Sequence, residues 1–226
     1  MDPDFKNIKH WIFDLDNTLY NENDSGLGDQ FVTNINIFMV EKMGLPAPRA
    51  NELMLELYEK YGSSYVGLIE IGAMSHEEDS KRFEEIVFDE LDFSKIIKND
   101  DLDKALSKLP GEKIILTSSP EVYAERVLKR LGVEKHFSSI WGLHKSYPHF
   151  KPKEEAFLKV VETEGFSVEN TAFVDDCFNH IKAAKKLGLK TVWIDSNESD
   201  ISSIDMSVVD VHTADIVRTI KELGDL

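Results

Sequence analysis

The sequence predicts an α/β fold with a doubly wound, mostly parallel sheet and an additional helical domain. From about residue 100 onward, short apolar runs of strand length alternate with helical patterns, which is typical of βαβ crossovers. Acidic or hydroxyl side chains follow several of these apolar runs directly. The long segment after the first run shows helical spacing without a convincing strand. We therefore expect an α/β core over residues 1–20 and 100–226, and a helical domain over 21–99.

The first strand is predicted at Trp11-Ile12-Phe13, a continuous apolar run of the kind that forms a buried parallel strand. Helices with amphipathic spacing follow over 30–43, 49–61 and 77–91. Further strands are predicted over 112–117, 138–141, 171–174, 190–194 and 208–211, and further helices over 120–131, 154–164, 178–187 and 214–223. In the helix over 120–131, Pro120 near the start and Gly132 just beyond the end are the expected boundary residues.

The composition indicates a folded protein with an acidic surface. Of the 226 residues, 42% are hydrophobic and 10% are aromatic, which argues against disorder. The net charge of −16 argues against binding to a nucleic-acid polymer, because the phosphates would meet a repulsive field. There is no apolar stretch of membrane-spanning length, no basic and apolar leader, and a single cysteine, Cys177. We therefore expect a cytoplasmic protein that has no membrane partner.

Two carboxylates, Asp14 and Asp16, follow the first predicted strand with one residue between them. The carboxyl ends of parallel strands are where open α/β sheets bind ligands. Crowded carboxylates repel each other unless a cation lies between them, and a hard divalent cation prefers oxygen ligands. A calcium-binding loop does not fit, because its sixth and twelfth positions would be Leu19 and Ser25. An ordinary turn, in which Asp and Asn bond to their own backbone, is the alternative interpretation.

Three further polar motifs follow predicted strands or precede predicted helices. Thr117-Ser118-Ser119 places hydroxyls and amides at the start of a helix, an arrangement that suits either an anion or a simple helix cap. Lys151 precedes the helix predicted over 154–164. Asp175 and Asp176 form a second acidic pair, which is costly to bury without a cation or hydrogen bonds. Capping of the next helix is the alternative for this second pair.

This order of an acidic pair, a hydroxyl, a lysine and a second acidic pair resembles the haloacid dehalogenase-like superfamily of aspartate-dependent phosphatases. The resemblance covers nearly the whole chain. Asp14-x-Asp16-x-Thr18 is similar to the first motif of the family, Thr117 to the second, Lys151 to the third and Asp175-Asp176 to the fourth. The resemblance implies that the segment 21–99 is an inserted cap domain. The second acid, Asp16, favours phosphoryl transfer, because dehalogenating relatives lack it.

The resemblance implies a Mg²⁺-dependent phosphoric monoester hydrolase. Asp14 is the expected nucleophile, which forms an aspartyl-phosphate, and Asp16 is the expected general acid and base. Mg²⁺ is expected to bind Asp14, the backbone carbonyl of Asp16 and the carboxylate of Asp176. Asp175 is expected to support the metal through water or through its other ligands. The residues expected to bind the phosphoryl oxygens are Thr117, Ser118 and Lys151.

Within the superfamily, the chain is most similar to the pyrimidine 5′-nucleotidase group. The similar stretches are 13–20 (FDLDNTLY), 61–68 and 123–132. They imply a small-molecule phosphomonoester substrate, a nucleoside 5′-monophosphate with a pyrimidine base. Tyr61 and Ser64, in the expected cap, are the candidate substrate contacts. The alternative for this segment is a helix–helix turn that contains glycine.

Two other functions share parts of this pattern. A sugar-phosphate phosphatase or phosphoglucomutase would have the same core and differ only in its cap contacts. A receiver-type phospho-accepting signalling protein would also have a doubly wound sheet and paired acids, but it would be shorter and would lack the helical insertion. Three positions depart from the family pattern: Ser118 and His180 replace Asn, and Cys177 replaces Ser. We expect Ser118 to change phosphate contacts modestly and Cys177 to be a small buried thiol.

Overall fold

The computed structural model of the protein describes residues 3–196 and 201–225. The chain divides into two compact units, one formed by Met1–Tyr20 together with Ile97–Leu226 and the other by Asn21–Ile96. We refer to the first as the α/β unit and to the second as the helical unit. Among the described residues, no helix has the length and apolar character needed to cross a membrane.

The α/β unit contains a six-stranded sheet in which all neighbouring strands are parallel. Its strands are β1 (His10–Phe13), β2 (Glu112–Leu116), β3 (Ser139–Trp141), β4 (Thr171–Asp175), β5 (Lys190–Ile194) and β6 (Val211–Thr213). The order across the sheet is β3-β2-β1-β4-β5-β6, which places β1 between β2 and β4. The predicted α/β class with a doubly wound parallel sheet is therefore confirmed.

Helices form the whole regular structure of the described helical unit and connect the strands of the α/β unit. The helical unit contains α1 (Glu22–Ser25), α2 (Leu27–Met43), α3 (Ala47–Tyr61), α4 (Ser64–Glu70) and α5 (His76–Val87). The α/β unit contains α6 (Asp100–Lys108), α7 (Glu121–Leu131), α8 (Leu143–Ser146), α9 (Glu154–Glu164), α10 (Phe178–Lys186) and α11 (Ile216–Gly224). Of these helices, the sequence patterns did not predict α1, α4, α6 and α8.

The central strand β1 is buried on both of its faces. Ile12 packs in one apolar cluster with Phe173 of β4, Phe157 of α9 and Ile181 of α10. Successive side chains of a strand point to opposite faces, and the neighbours of Ile12 within β1 are also buried. Because neither face of β1 meets solvent, its sequence is a continuous apolar run rather than an alternating one.

The last strand lies later in the chain than the predicted range of 208–211. A 3₁₀ turn over Met206–Val208 precedes β6. The Asp205 side chain accepts a hydrogen bond from the N–H of Ser207, and the Val208 carbonyl accepts one from the Thr191 hydroxyl. The backbone near residue 208 is therefore used by this turn, and pairing with β5 begins at Val211.

The helix predicted over 77–91 is shorter than expected and ends at Val87 as α5. The apolar residues that follow it, including Leu91 and Phe93, are buried although they lie outside any helix. The apolar spacing at the end of this segment indicated burial, and it was wrong as a prediction of helix. A loop can bury apolar side chains without helical geometry when its own polar groups find partners, as the N–H of Asp92 does on the Gln30 side chain.

Close packing of α4 on α3 depends on glycine at position 67. A Cβ atom at Gly67 would lie 2.6 Å from the Cβ atom of Leu57, which is too close for a non-bonded contact between carbon atoms. We expect Gly67→Ala to lower the free energy of unfolding by about 1–3 kcal/mol, because the two helices must move apart. Urea denaturation followed by circular dichroism measures this change. The exposed variant Lys81→Ala is the control, and equal stabilities of the two variants would contradict the prediction.

Candidate active site

Asp14 is the first residue after β1 and lies at the centre of the sheet edge. Its N–H donates to the Val174 carbonyl at 2.8 Å, which extends the β1–β4 pairing by one residue. Asp14 is buried, with 6% of the residue exposed, and its carboxylate accepts a hydrogen bond from the Thr18 hydroxyl at 3.3 Å. Because β1 lies between β2 and β4, Thr117 and Asp175 at the ends of those strands flank Asp14.

Lys151 forms buried ion pairs with two of the predicted acidic site residues, Asp14 and Asp175. Its Nζ lies 2.7 Å from Oδ1 of Asp14 and 2.8 Å from Oδ2 of Asp175. Burial lowers the pKa of Lys151, but the two carboxylates raise it above its ordinary value. Lys151 is therefore a buried cation that draws Asp14 and Asp175 together, although 137 positions separate it from Asp14 in the sequence.

Asp175 is completely buried and is surrounded by donors. Its Oδ1 accepts the N–H of Cys177 at 2.7 Å and lies 3.0 Å from Nδ1 of His180. Burial raises the pKa of Asp175, but the nearby charges of His180 and Lys151 outweigh burial and lower it to about 2. Burial likewise lowers the pKa of His180, and the Asp175 carboxylate raises it to about 10. His180 is thus the second cationic partner of Asp175.

Three carboxylates form a cluster that could hold a metal ion. Asp14, Asp175 and Asp176 each offer an oxygen, and these oxygens lie within 4.8 Å of one another. The backbone of Asp176 is held by the Trp193 indole N–H, which donates to its carbonyl at 2.8 Å. Burial raises the pKa of Asp176 well above its ordinary value, and the charges of Asp175 and Asp14 raise it further. A hard divalent cation would relieve this repulsion, so the donor set fits Mg²⁺.

The pKa of the Asp14 carboxyl is also raised above its ordinary value. Burial raises its pKa to about 7, with Lys151 opposing this shift and Asp175 adding to it. A carboxylate of this kind is ionised more completely when further positive charge is placed beside it. Lys151 therefore stabilises the negative charge of Asp14, and the carboxylates of Asp14 and Asp175 stabilise the positive charge of Lys151.

The Asp16 carboxylate lies outside the acidic cluster and has its own partners. Its Oδ1 accepts the hydroxyls of Tyr20 at 2.6 Å and Tyr123 at 2.8 Å, and its Oδ2 accepts the hydroxyl of Ser119 at 2.9 Å. Burial raises the pKa of Asp16, and these three hydrogen bonds oppose the shift. Among the four residues predicted to hold the metal, Asp16 therefore differs in that three hydroxyls bind its carboxylate and it lies outside the acidic cluster.

Thr117 and Ser118 lie where β2 ends and α7 is about to begin. The Thr117 N–H donates to the Trp141 carbonyl at 2.9 Å, and the Thr117 hydroxyl oxygen accepts the N–H of Ser119 at 3.1 Å. This second bond leaves the Thr117 hydroxyl proton to be donated elsewhere. Thr117 is buried and Ser118 is half-buried. The Thr117 hydroxyl can therefore donate its proton in a hydrogen bond to a phosphoryl oxygen.

Tyr61 is the last residue of α3 and Ser64 the first residue of α4, so they flank the turn between these helices of the helical unit. Gly62 ends α3 with a left-handed φ of 71°, and the Ser63 side chain caps α4. Ser64 is buried, and its hydroxyl donates to the Met54 carbonyl at 3.3 Å. Tyr61 is half-buried. A glycine-containing helix–helix turn, the alternative considered for this segment, is thus present.

Several residues at the site were not assigned a role from the sequence. They are Tyr20, Ser119, Tyr123 and His180, of which His180 was noted only as a departure from the family pattern. Tyr20 follows Asp16 by four positions, and this spacing is a local signal. Ser119 and Tyr123 lie 103 and 107 positions from Asp16, so no local pattern could pair them. Cys177, expected to be buried, is half-buried.

The contribution of His180 to stability is expected to fall as the pH rises. Its pKa is raised from 6.5 to about 10, so the stability it contributes is fully present below 6.5 and is lost as the pH rises through the folded-state pKa. We expect the free energy of unfolding of the wild type minus that of His180→Asn, measured in EDTA, to decline over this range. The exposed His144→Asn variant is the control. A difference independent of pH would contradict the prediction.

Comparisons with known proteins identify the family. The sequence matches the haloacid dehalogenase-like hydrolase family over residues 8–188. It is 28% identical over 202 residues to Phosphate metabolism protein 8 of Saccharomyces cerevisiae, covering 80% of this chain and 60% of that protein. It is 33% identical over 88 residues to Phosphoglycolate phosphatase of Neisseria meningitidis, covering 39% of this chain and 37% of that protein. The chain thus spans less than two thirds of the length of these curated relatives.

A solved structure shares the fold along almost the whole chain. A HAD phosphatase from Thermococcus onnurineus superposes with a TM-score of 0.61 at 21% identity, covering 96% of this chain and 98% of that one. The family match over 8–188 includes the strands and loops that carry both acidic pairs, Thr117 and Lys151. On the strength of this match and of the acidic cluster at the sheet edge, the chain belongs to the haloacid dehalogenase-like hydrolases.

Proposed function

We propose that this protein is a Mg²⁺-dependent phosphomonoesterase that hydrolyses a nucleoside 5′-monophosphate with a pyrimidine base. The observation that carries the proposal is the buried contact of Lys151 with both Asp14 and Asp175, with Asp176 beside them. This array combines a carboxylate nucleophile with a fixed cation and a second acidic pair. Such a combination suits transfer of an anionic phosphoryl group.

In the proposed reaction, an oxygen of Asp14 attacks phosphorus and forms an aspartyl-phosphate. Lys151 holds Asp14 in place through the 2.7 Å contact and balances the charge of the phosphoryl oxygens. The Thr117 hydroxyl donates to one of those oxygens, and Ser118 lies next to it. Mg²⁺, when bound, would neutralise charge on the phosphoryl group and on the nucleophile. The residues proposed to hold it are Asp14, Asp176 and the Asp16 carbonyl, with Asp175 in support.

Asp16 carries the proton in both halves of the reaction. Its carboxyl group donates a proton to the leaving oxygen as the bond from that oxygen to phosphorus breaks. The resulting carboxylate then takes a proton from the water that attacks the aspartyl-phosphate, and the bond between Asp14 and phosphorus breaks. The position of Asp16, two residues after the nucleophile and outside the acidic cluster, supports this role.

The nucleotide specificity rests on the similarity of segments 13–20, 61–68 and 123–132 to the pyrimidine 5′-nucleotidase group. The helical unit is proposed to be the cap of the enzyme, with Tyr61 contacting the substrate. Because the Ser64 hydroxyl is bonded to the Met54 carbonyl, its proposed contribution is to shape the turn that presents Tyr61.

The second candidate is a sugar-phosphate or other small phosphomonoester substrate. The observation that favours it is the partial match to a relative named Phosphoglycolate phosphatase. The chemistry at the sheet edge would be the same, since only the leaving group differs. The receiver-type alternative loses its support, because the chain belongs to a hydrolase family.

A substrate panel tests the proposal. Phosphate release is measured from UMP, CMP, dTMP, AMP, GMP, phosphoglycolate and several sugar phosphates, each with Mg²⁺ and with EDTA. We expect Mg²⁺-dependent release that is fastest from the pyrimidine nucleotides. Faster release from phosphoglycolate or a sugar phosphate would replace the nucleotide assignment with the second candidate. Release from none of the substrates would overturn both.

A further inference from the structure

The geometry points to Tyr20 and Tyr123 as positioning residues that fix the Asp16 carboxylate so that its Oδ2 atom exchanges the proton with the leaving group. This inference rests on the proposed function, in which Asp16 is the general acid. Of the two oxygens of the Asp16 carboxylate, it assigns the transferred proton to Oδ2. It also assigns a positioning role to the two tyrosines that bind Oδ1.

Oδ1 of Asp16 is enclosed by the two phenols. The Tyr20 hydroxyl lies 2.6 Å from it and the Tyr123 hydroxyl 2.8 Å from it, and the two hydroxyl oxygens lie 2.6 Å from each other. A carboxylate oxygen has two lone pairs, and the two phenols occupy both of those on Oδ1, so none remains for a leaving-group oxygen. A proton on Oδ1 would be hydrogen-bonded among Oδ1 and the two tyrosine hydroxyl oxygens.

Oδ2 of Asp16 has a different environment. Among the described residues, its hydrogen-bond donor is the Ser119 hydroxyl, at 2.9 Å. A carboxylate oxygen has two lone pairs, so one remains on Oδ2 after Ser119 has donated. This lone pair is the position from which a proton can pass to the leaving oxygen and to which a proton from water can return.

The two tyrosines that contact Oδ1 come from separate parts of the fold. Tyr123 is a buried residue of α7, 2% exposed, whereas Tyr20 belongs to the loop after β1. That loop turns back on itself: the Leu19 N–H donates to the Leu15 carbonyl at 2.9 Å, and Asn17 is left-handed with φ of 57°. An isolated bridge then pairs Asp16 with Tyr20. Both the loop and α7 must therefore be in place before the carboxylate is held.

Each step is balanced in atoms and electrons. In the first step, the bond between Asp14 and phosphorus forms, the bond from phosphorus to the leaving oxygen breaks with its electron pair on that oxygen, and the proton of Oδ2 moves to it. In the second step, water attacks phosphorus, its proton moves to Oδ2, and the bond between Asp14 and phosphorus breaks. Tyr20 and Tyr123 keep their own protons in both steps, since they only orient the Asp16 carboxylate.

The test uses Tyr20→Phe and Tyr123→Phe with two esters that differ in their need for a proton. A nucleotide monophosphate releases an alkoxide that must be protonated, whereas p-nitrophenyl phosphate releases a stable phenolate. The quantity compared is kcat/KM, which reports formation of the aspartyl-phosphate and excludes its later hydrolysis. Asp16→Asn marks the limit of full loss, and Tyr147→Phe, also in the α/β unit, is the matched control for removal of a phenol hydroxyl.

We expect kcat/KM of each variant to fall about 10- to 100-fold for the nucleotide and to stay within about threefold for p-nitrophenyl phosphate. Equal losses for both esters would mean that the tyrosines act on folding or on Asp14, and would overturn the assignment. No loss for either ester would overturn it as well. A wild-type protein inactive on both esters would instead overturn the proposed function, and this inference with it. Thermal unfolding of each variant separates a folding defect from a positioning effect.

Discussion

Asp14→Asn is expected to reduce phosphate release by a factor on the order of 10⁴ or more, because the amide cannot act as the nucleophile. The substitution changes one oxygen to nitrogen and keeps the size of the side chain, so the geometry around Lys151 and Thr18 has little reason to change. The loss should appear in kcat with every substrate of the panel, since all of them share the aspartyl-phosphate.

Release of phosphate is measured under saturating Mg²⁺, together with trapping of the phosphorylated protein after brief incubation with substrate. The wild type should form the phosphorylated species and Asp14→Asn should not. The exposed Asp89→Asn variant is the matched control and should retain wild-type activity. If Asp14→Asn retained a substantial part of the activity, a different group would be the nucleophile, and the proposed reaction would be wrong.

Lys151→Met is expected to have large effects on both activity and stability. The variant leaves Asp14 and Asp175 buried without the cation that lies 2.7 Å from one and 2.8 Å from the other. Loss of one partner from a buried ion pair costs about 3–5 kcal/mol of unfolding free energy. Loss of a charge that stabilises the transferring phosphoryl group costs about 10²- to 10³-fold in kcat. Methionine fills a similar volume, so the loss of charge dominates.

Urea denaturation in EDTA and in saturating Mg²⁺ measures the stability effect, and the substrate panel measures the activity. We expect Mg²⁺ to restore part of the stability of Lys151→Met, because a cation in the acidic cluster replaces some of the missing charge. Lys129→Met, an exposed lysine of α7, is the control. A Lys151→Met variant as stable in EDTA as this control would contradict the role of Lys151 as a buried counter-ion.

The strand ends illustrate what a linear pattern can predict. The run Trp11-Ile12-Phe13 is apolar at every position because β1 is buried on both faces, and the acids that follow it must then emerge at the sheet edge. The same reasoning applies to Thr117 just after β2 and to Asp175 at the end of β4. Parallel strands bring their carboxyl ends to one edge, so motifs far apart in the sequence could be expected to meet.

Errors arose where local patterns and tertiary contacts disagree. The apolar spacing beyond Val87 arises from a buried loop, and the expected strand at 208–211 begins later, because a side chain of β5 bonds to the backbone of the preceding turn. In both places the backbone conformation was decided by partners elsewhere in the chain.

By itself, the sequence determined the fold class and the order of the acidic pairs, Thr117 and Lys151 along the chain, because strand burial and strand-end chemistry are encoded over a few neighbouring residues. Tertiary structure alone decided which distant groups contact one another: Lys151 between two carboxylates, and Tyr123 with Ser119 on Asp16. These last two contacts join residues more than 100 positions apart. No local propensity specifies such pairs, because they form only when the packing of the whole α/β unit brings the end of β1 and the start of α7 within hydrogen-bond distance.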